Sequence, residues 1–155
     1  MTDRRFTLDA NVLVYAMDRG ASEKHERAID LIARAAESDC ILTLQALAEF
    51  FFVTTRKGMV SRREATAAVQ DWIEIFPTAA ADTEALQLAL NPDSTDGRLG
   101  FWDAMLLGTA HLAGCRVALS EDMRDGTKFH GIAVIDPFRG MSLPSAVEAL
   151  LEPDA

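Results

Sequence analysis

The chain has 155 residues, of which 49% are apolar and 25% charged, a balance that excludes the disordered and fibrous classes. The formal net charge of −9 argues against a simple module that binds nucleic acid through phosphate contacts alone, whereas an acidic metal site or a basic protein partner fits it. No apolar run reaches the roughly 20 residues of a membrane-spanning helix, and residues 1–5 show no signal-peptide pattern. We therefore expect a cytoplasmic protein with no membrane partner, in which Cys40 and Cys115 are buried free thiols.

Short apolar strands alternate with helices in the first half of the chain. The predicted elements are a strand at 6–8, an apolar turn or helix at 12–17, a helix at about 23–37, a strand at 40–43 and a helix from 44 to near 58. Ser22 is placed to cap the first long helix. Ser61 and Glu64 have the spacing of a capping box, which predicts that the next helix begins there.

The second half continues the alternation. The predicted elements are a helix from 61 to 76, a helix at 82–90, a turn-rich loop at 91–100, a helix opened by Asp103 and running to 112, strands at 116–120 and 132–135, and a short helix at 143–151. Strands separated by helices favour a parallel sheet. We expect an α/β fold with one domain, residues 1–155, and a short central parallel sheet of about four to five strands flanked by helices on both faces.

Four acidic residues stand out by their local context. Asp9 and Asp122 follow predicted strands, and ligands of open parallel sheets bind beyond the carboxyl ends of strands. Asp103 lies at the start of a helix that follows a glycine-containing loop. Glu49 stands in an otherwise apolar helix, where a charged carboxylate is costly unless it is paired or binds a metal.

If these acids converge, they form an oxygen-rich pocket of the kind that binds Mg²⁺ or Mn²⁺. Such a cation lowers the pKa of a bound water and stabilises charge on a phosphoryl oxygen. Each acid also has an ordinary structural interpretation. The alternatives are a turn cap at Asp9, a helix cap or first-turn acid at Asp103, a solvated loop at Asp122, and a pairing with Arg56 or escape to the surface at Glu49.

The order of these residues resembles the PIN-domain family. The motifs that carry the resemblance are LDANVLVY at 8–15, QALAEF at 45–50, FWDAM at 101–105 and LSED at 119–122, and IDPF at 135–138 is similar to a strand terminus of that family. Together they span nearly the whole chain. The size of the chain is most similar to the VapC-type toxins of bacterial toxin–antitoxin pairs.

The resemblance implies a magnesium- or manganese-dependent endoribonuclease, the toxin of a type II toxin–antitoxin pair, in which a metal-activated water hydrolyses a phosphodiester bond of RNA. By position, Asp9, Glu49, Asp103 and Asp122 would be the catalytic metal ligands. Asn11 and Ser120 would be supporting polar groups, and Glu121 or Asp125 could replace or join Asp122. The resemblance also implies a small cognate antitoxin as partner and a homodimer.

Two other classes of function compete with this hypothesis. The first is a catalytically silent PIN-like domain that only binds a protein partner. The second is a phosphatase or receiver-like domain using Asp9, which Asn11 disfavours because such a phosphatase needs a second aspartate at that position. Several basic residues could hold RNA, although charged surface is their ordinary interpretation; they are Arg4, Arg5, Arg56, Lys57, Arg62 and Arg63.

Overall fold

A parallel sheet forms the centre of the molecule in the computed structural model, which describes residues 3–91 and 99–153. Its strands are β1 (Phe6–Leu8), β2 (Cys40–Thr43), β3 (Thr78–Ala79), β4 (Val117–Leu119), β5 (Lys128–Phe129) and β6 (Ile132–Ile135). They are arranged in the order β3-β2-β1-β4-β6-β5. Every neighbouring pair is parallel except β5 and β6, which are antiparallel.

Seven α-helices connect and cover these strands within the described ranges. They are α1 (Ala10–Met17), α2 (Glu23–Ala35), α3 (Leu44–Arg56), α4 (Arg62–Ile75), α5 (Thr83–Leu90), α6 (Phe101–Leu112) and α7 (Ser145–Leu151), and a 3-10 turn spans Arg19–Ala21. The expected α/β class is confirmed. The described sheet has six strands rather than four to five, because β3 and β5 are two-residue edge strands that carry no periodic signal.

Helices cover both faces of the sheet because successive strand residues point to opposite sides. Phe6 and Leu8 belong to a core cluster with residues of α1, α2, α3, α4 and α7. Ile41 and Ala118 belong to a second cluster with residues of α6. The strands β2 and β4 therefore contribute to two cores, and β1 and β2 are buried along their whole length.

Polar residues fix where several helices begin. The Thr43 side chain accepts a hydrogen bond from the Ala46 amide, and both halves of the predicted capping box between Ser61 and Glu64 are present. The prediction for Ser22 is wrong: this residue makes no side-chain cap bond and has a φ of 52°, because the chain enters α2 from a 3-10 turn rather than from extended backbone.

The region before α6 departs from the prediction in one respect. The helix begins at Phe101 after Gly100, so Asp103 lies in its first turn and does not open it. Most of the turn-rich loop predicted at 91–100 lies outside the described residues. Within the described ranges, no helix combines the length and apolarity needed to span a bilayer.

Candidate metal centre

Asp9 lies at the carboxyl end of β1 and caps the N-terminus of α1. Its side chain is only 4% exposed. Oδ1 accepts a hydrogen bond from the Ala10 amide at 2.8 Å, while Oδ2 accepts from the Ser120 hydroxyl at 2.7 Å and from the Asn11 side-chain amide at 3.2 Å. A carboxylate offers about four lone pairs, so three donors leave roughly one, on Oδ1, for another ligand.

Ser120 and Asn11 connect the end of β1 to the end of β4. The buried Ser120 hydroxyl donates to Asp9 and accepts from the Asn11 amide at 3.1 Å and from the Met123 backbone amide at 3.2 Å. The Asn11 side-chain oxygen accepts from the Glu121 backbone amide at 3.2 Å. These bonds use the full capacity of the hydroxyl and fix the orientation of the Asp9 carboxylate.

Glu49 lies on α3, and its environment differs from the one expected. Leu47 and Phe50 are buried, whereas Glu49 is solvent-exposed and makes no ion pair with any residue in the described ranges, Arg56 included. Of the alternatives for Glu49, the surface position is the one observed, although neighbouring atoms still shield the carboxylate in part. The helix is amphipathic, and Glu49 interacts electrostatically with the three aspartates.

Asp103 is half-buried in the first turn of α6. The side-chain amide of Gln45, at the start of α3, donates a hydrogen bond to the Trp102 carbonyl at 2.8 Å. This contact links the first turn of α6 to the helix that carries Glu49. A carboxylate in the first turn also interacts favourably with the helix dipole, so Asp103 does not destabilise α6.

Asp122 follows β4 by three residues and is exposed. Its two acidic neighbours are engaged elsewhere. Glu121 forms an ion pair with Lys24 at 2.7 Å and accepts a hydrogen bond from the Tyr15 hydroxyl at 2.5 Å. Asp125 pairs with Arg139 at 2.6 Å and accepts from the Asp136 amide. Of the three acids that the sequence left open, Asp122 is the one that lines a cavity together with Glu49.

The four carboxylates influence one another electrostatically. Burial raises the pKa of Asp9, hydrogen bonds from Ser120 and Ala10 oppose the rise, and the charges of Asp103 and Asp122 add to it. Partial burial raises the pKa of Glu49, and the charges of the three aspartates add to that rise. The pKa of Asp103 is raised by partial burial and then by Asp122. Acids from four separate segments are therefore brought to one edge of the sheet.

The donor set fits a hard divalent cation, because all four groups offer carboxylate oxygen. The spacing, however, is not that of a closed cage: within the described ranges, no three His, Cys, Asp or Glu side chains are gathered tightly enough to enclose an ion. Like-charged carboxylates repel one another, and a cation would offset the repulsion that adds to the effect of burial on the pKa values of Asp9, Glu49 and Asp103. The fit thus rests on donor chemistry and on the mutual electrostatic effect.

A cavity of about 220 Å³ opens beside two of these acids, Glu49 and Asp122. Its lining includes Asn11, Tyr15, Glu49, Val53, Lys57 and Asp122. A second cavity of about 730 Å³ lies between the end of α1, α2 and the α3–α4 connection, and the four acids are not among its lining residues. The smaller cavity is the better candidate for the site because two of the four acids, Glu49 and Asp122, line it.

Sequence reasoning named Lys57 only among the basic residues that could hold RNA and did not place it beside the acids, and it missed the contacts of Glu121. Lys57 follows Glu49 by eight residues, and Glu49, Val53 and Lys57 share one face of α3, a spacing that could have placed it at the cavity. The pairing of Glu121 with Lys24 and Tyr15 joins segments about a hundred residues apart and leaves no local signal.

Solved structures with this fold include toxins and toxin–antitoxin complexes. The chain is similar to VapC20 of Mycobacterium tuberculosis, described as a toxin that cleaves the sarcin-ricin loop, at 16% identity over 76% of this chain and 89% of that one, with a TM-score of 0.59. It is also similar to a protein of VapBC2 from Rickettsia felis, which was solved bound to a promoter DNA fragment. The identity is 10% over 84% of this chain and 96% of that one, with a TM-score of 0.60. A third similar structure is DNA-bound VapBC of Salmonella typhimurium, at 18% identity over 84% of this chain and 96% of that one, with a TM-score of 0.58.

At these identities the structural likeness shows the fold alone. No curated protein sequence matches the chain at a significant level. The model of the PIN domain matches residues 6–128, which is more than half of the chain and includes all four acids. The chain belongs to the PIN-domain family.

Proposed function

We propose that this protein is a metal-dependent endoribonuclease that hydrolyses phosphodiester bonds of RNA, and that it is the toxin of a type II toxin–antitoxin pair. The observation that carries the proposal is the electrostatic interaction of four carboxylates, Asp9, Glu49, Asp103 and Asp122, at the carboxyl edge of a parallel sheet. Neighbouring carboxylates repel one another, and a divalent cation bound between them would offset that repulsion.

The four acids would hold Mg²⁺ or Mn²⁺, with Asp9 offering the lone pair on Oδ1 that its three donors leave unused. When bound, the cation supplies positive charge that lowers the pKa of a water and stabilises the phosphoryl oxygens. Asn11 and Ser120 keep the Asp9 carboxylate in one orientation. Asp122 is positioned because its neighbour Glu121 is fixed by Lys24 and Tyr15.

The substrate and partners follow from the relatives and from charge. One neighbour is described as cleaving the sarcin-ricin loop, and others were solved as VapBC toxin–antitoxin complexes, which supports RNA as substrate and a small antitoxin as partner. The net charge of −9 suits a partner with a basic segment. The proposal includes a homodimer, by analogy with the family.

The test is cleavage of a labelled single-stranded RNA with Mg²⁺, with Mn²⁺ and with EDTA. We expect cleavage only with the metals, and we expect Asp9→Asn and Glu49→Gln to reduce it to the level seen with EDTA. Asp71→Asn is the matched control, because Asp71 is an exposed aspartate of α4 outside the four acids, and it should cleave normally.

Two results would count against the proposal. Undiminished metal-dependent cleavage by Asp9→Asn would show that the chemistry lies elsewhere. Absence of cleavage by the wild type, together with no Mn²⁺ binding by calorimetry, would favour the silent interaction domain. Inhibition of cleavage by a small protein encoded beside this one would support the toxin assignment.

A further inference from the structure

Basic residues are concentrated in one short segment of this acidic protein. Four of its 15 lysines and arginines, namely Arg56, Lys57, Arg62 and Arg63, lie within residues 56–63, a segment that contains no acid. We call these four residues the basic turn, since Arg56 and Lys57 lie at the end of α3 and Arg62 and Arg63 at the start of α4. All four are exposed.

The basic turn has no counter-charge among the described residues. Elsewhere in the described ranges, cations such as Arg5, Lys24 and Arg139 pair with carboxylates at 2.6–2.9 Å. No described carboxylate lies within 4 Å of the basic turn. Two of its guanidinium groups lie over aromatic rings instead, Arg56 over Phe52 and Arg62 over Phe51. Four neighbouring cations that have no described carboxylate partner create a positive potential that attracts an external anion.

Helix stability does not explain these charges. Lysine and arginine at the end of α3 are favourable for the helix dipole, so Arg56 and Lys57 could be there for that reason alone. Arg62 and Arg63, however, occupy the first two positions of α4, where the positive end of the dipole disfavours a cation. The contact with the Phe51 ring offsets this cost for Arg62, whereas Arg63 has no comparable contact among the described residues, which indicates a role outside the helix.

The basic turn is continuous with the candidate metal centre. Glu49, Val53 and Lys57 lie on one face of α3 and line the same cavity as Asp122. Eight helical residues span about 12 Å, so Lys57 stands roughly that far along the helix from Glu49. A strand whose phosphate lies at the acids can therefore place a later phosphate beside Lys57.

We propose that the basic turn binds backbone phosphates of the RNA on one side of the scissile bond, with Lys57 closest to the acids. This inference rests on the proposed nuclease function and adds the direction in which the strand leaves the site, along α3 toward α4. It also accounts for RNA binding by a protein of net charge −9: the acids repel phosphate, and the basic turn supplies a local attraction at their border.

The experiment measures binding of a fluorescein-labelled single-stranded oligoribonucleotide by anisotropy, in EDTA, between 50 and 300 mM KCl. Each phosphate contact contributes about 0.7 to the slope of log K against log salt for single strands. We expect Lys57→Ala to reduce the slope by about 0.7 and alanine at all four positions to reduce it by about 2.8. Lys128→Ala, an exposed lysine on edge strand β5, is the matched control and should leave the slope unchanged.

Stability separates this role from a structural one. Arg63→Ala removes a cation from the first turn of α4, so its midpoint of urea unfolding should equal or exceed that of the wild type while the slope falls. An unchanged slope in the fourfold variant would overturn the proposal and leave an acidic protein partner as the occupant. If the slope falls as expected but no metal allows cleavage, the nuclease proposal fails and the RNA-binding role stands.

Discussion

Replacing Ser120 with alanine tests whether the hydroxyl that fixes Asp9 also stabilises the fold. The hydroxyl is fully buried, donates to the Asp9 carboxylate at 2.7 Å and accepts from the Met123 amide at 3.2 Å. Ser120→Ala removes a hydrogen bond to a charged group and leaves a buried amide without this partner. Thr7→Val is the complementary change, because the buried Thr7 hydroxyl has no hydrogen-bond partner in the described part of the chain.

The expected magnitudes follow from these contacts. Loss of a hydrogen bond to a charged group costs about 1.5–3 kcal/mol, and an unsatisfied buried amide costs about 1–3 kcal/mol. Since neighbouring losses are not additive, we expect a loss of about 3 kcal/mol for Ser120→Ala, or a fall in Tm of about 6–12 °C for a chain of this length. Thr7→Val removes an unsatisfied hydroxyl and should gain about 1 kcal/mol.

The assay is urea unfolding at pH 7 in EDTA, followed by the fluorescence of Trp72, which is buried against Phe50. Ser120→Thr retains the hydroxyl and should recover most of the stability lost in Ser120→Ala. If Ser120→Ala and the wild type unfold at the same urea concentration with the same m-value, the hydroxyl network contributes nothing and the reasoning is refuted.

Three further predictions concern charge, metal and thiols. The folded-state pKa of Asp103 lies above its usual 3.8, so the free energy of unfolding should fall as pH rises through that raised pKa. Asp103→Asn should lessen this fall between pH 3.5 and 7. Identical plots of unfolding free energy against pH for the variant and the wild type would contradict the prediction. Mn²⁺ at a hundred times its Kd should stabilise the wild type by about 2.7 kcal/mol, raising Tm by about 5–11 °C, and should stabilise Glu49→Gln less. Burial raises the pKa of Cys40 well above its usual value and that of Cys115 to about 12, so both thiols should react with Ellman's reagent at pH 8 only after unfolding; fast reaction of the native protein would refute their burial.

Most of the fold was predictable because its signals are local. The strands β1, β2, β4 and β6 are apolar segments between helical patterns, and the capping box at Ser61 and Glu64 begins α4 as expected. The edge strands β3 and β5 have two residues each and depend on pairing with β2 and β6, so no sequence window indicates them. Ser22 has the right residue type for a cap, but the preceding 3-10 turn sets its backbone conformation.

The candidate site was predictable in position but not in detail. Strand ends indicated Asp9 and Asp122, and the order of the motifs indicated the rest. The apolar composition around Glu49 suggests an enclosed position, whereas Phe52 is exposed and the buried stripe of α3 follows Leu47 and Phe50. The helical period of 3.6 residues contained that information, since it places Glu49 beside the stripe.

The choice among the acids after β4 needed the folded molecule. The motif at 119–122 favours Asp122, but Glu121 and Asp125 stand in the same loop, and partners elsewhere in the chain separate the three acids. Lys24 of α2 engages Glu121, and Arg139 beyond β6 engages Asp125. Long-range ion pairs of this kind have no signature in a single sequence.

The wide separation of the four acids along the chain has a consequence for biosynthesis. Asp9 and Ser120 are 111 positions apart and meet only when β4 pairs with β1. Closing so long a loop is entropically costly, so this pairing forms only when other contacts of the sheet support it. A nascent polypeptide on the ribosome therefore has no complete acid cluster until β4 has emerged from the exit tunnel and docked. Any nuclease chemistry of this site is delayed until that docking has taken place.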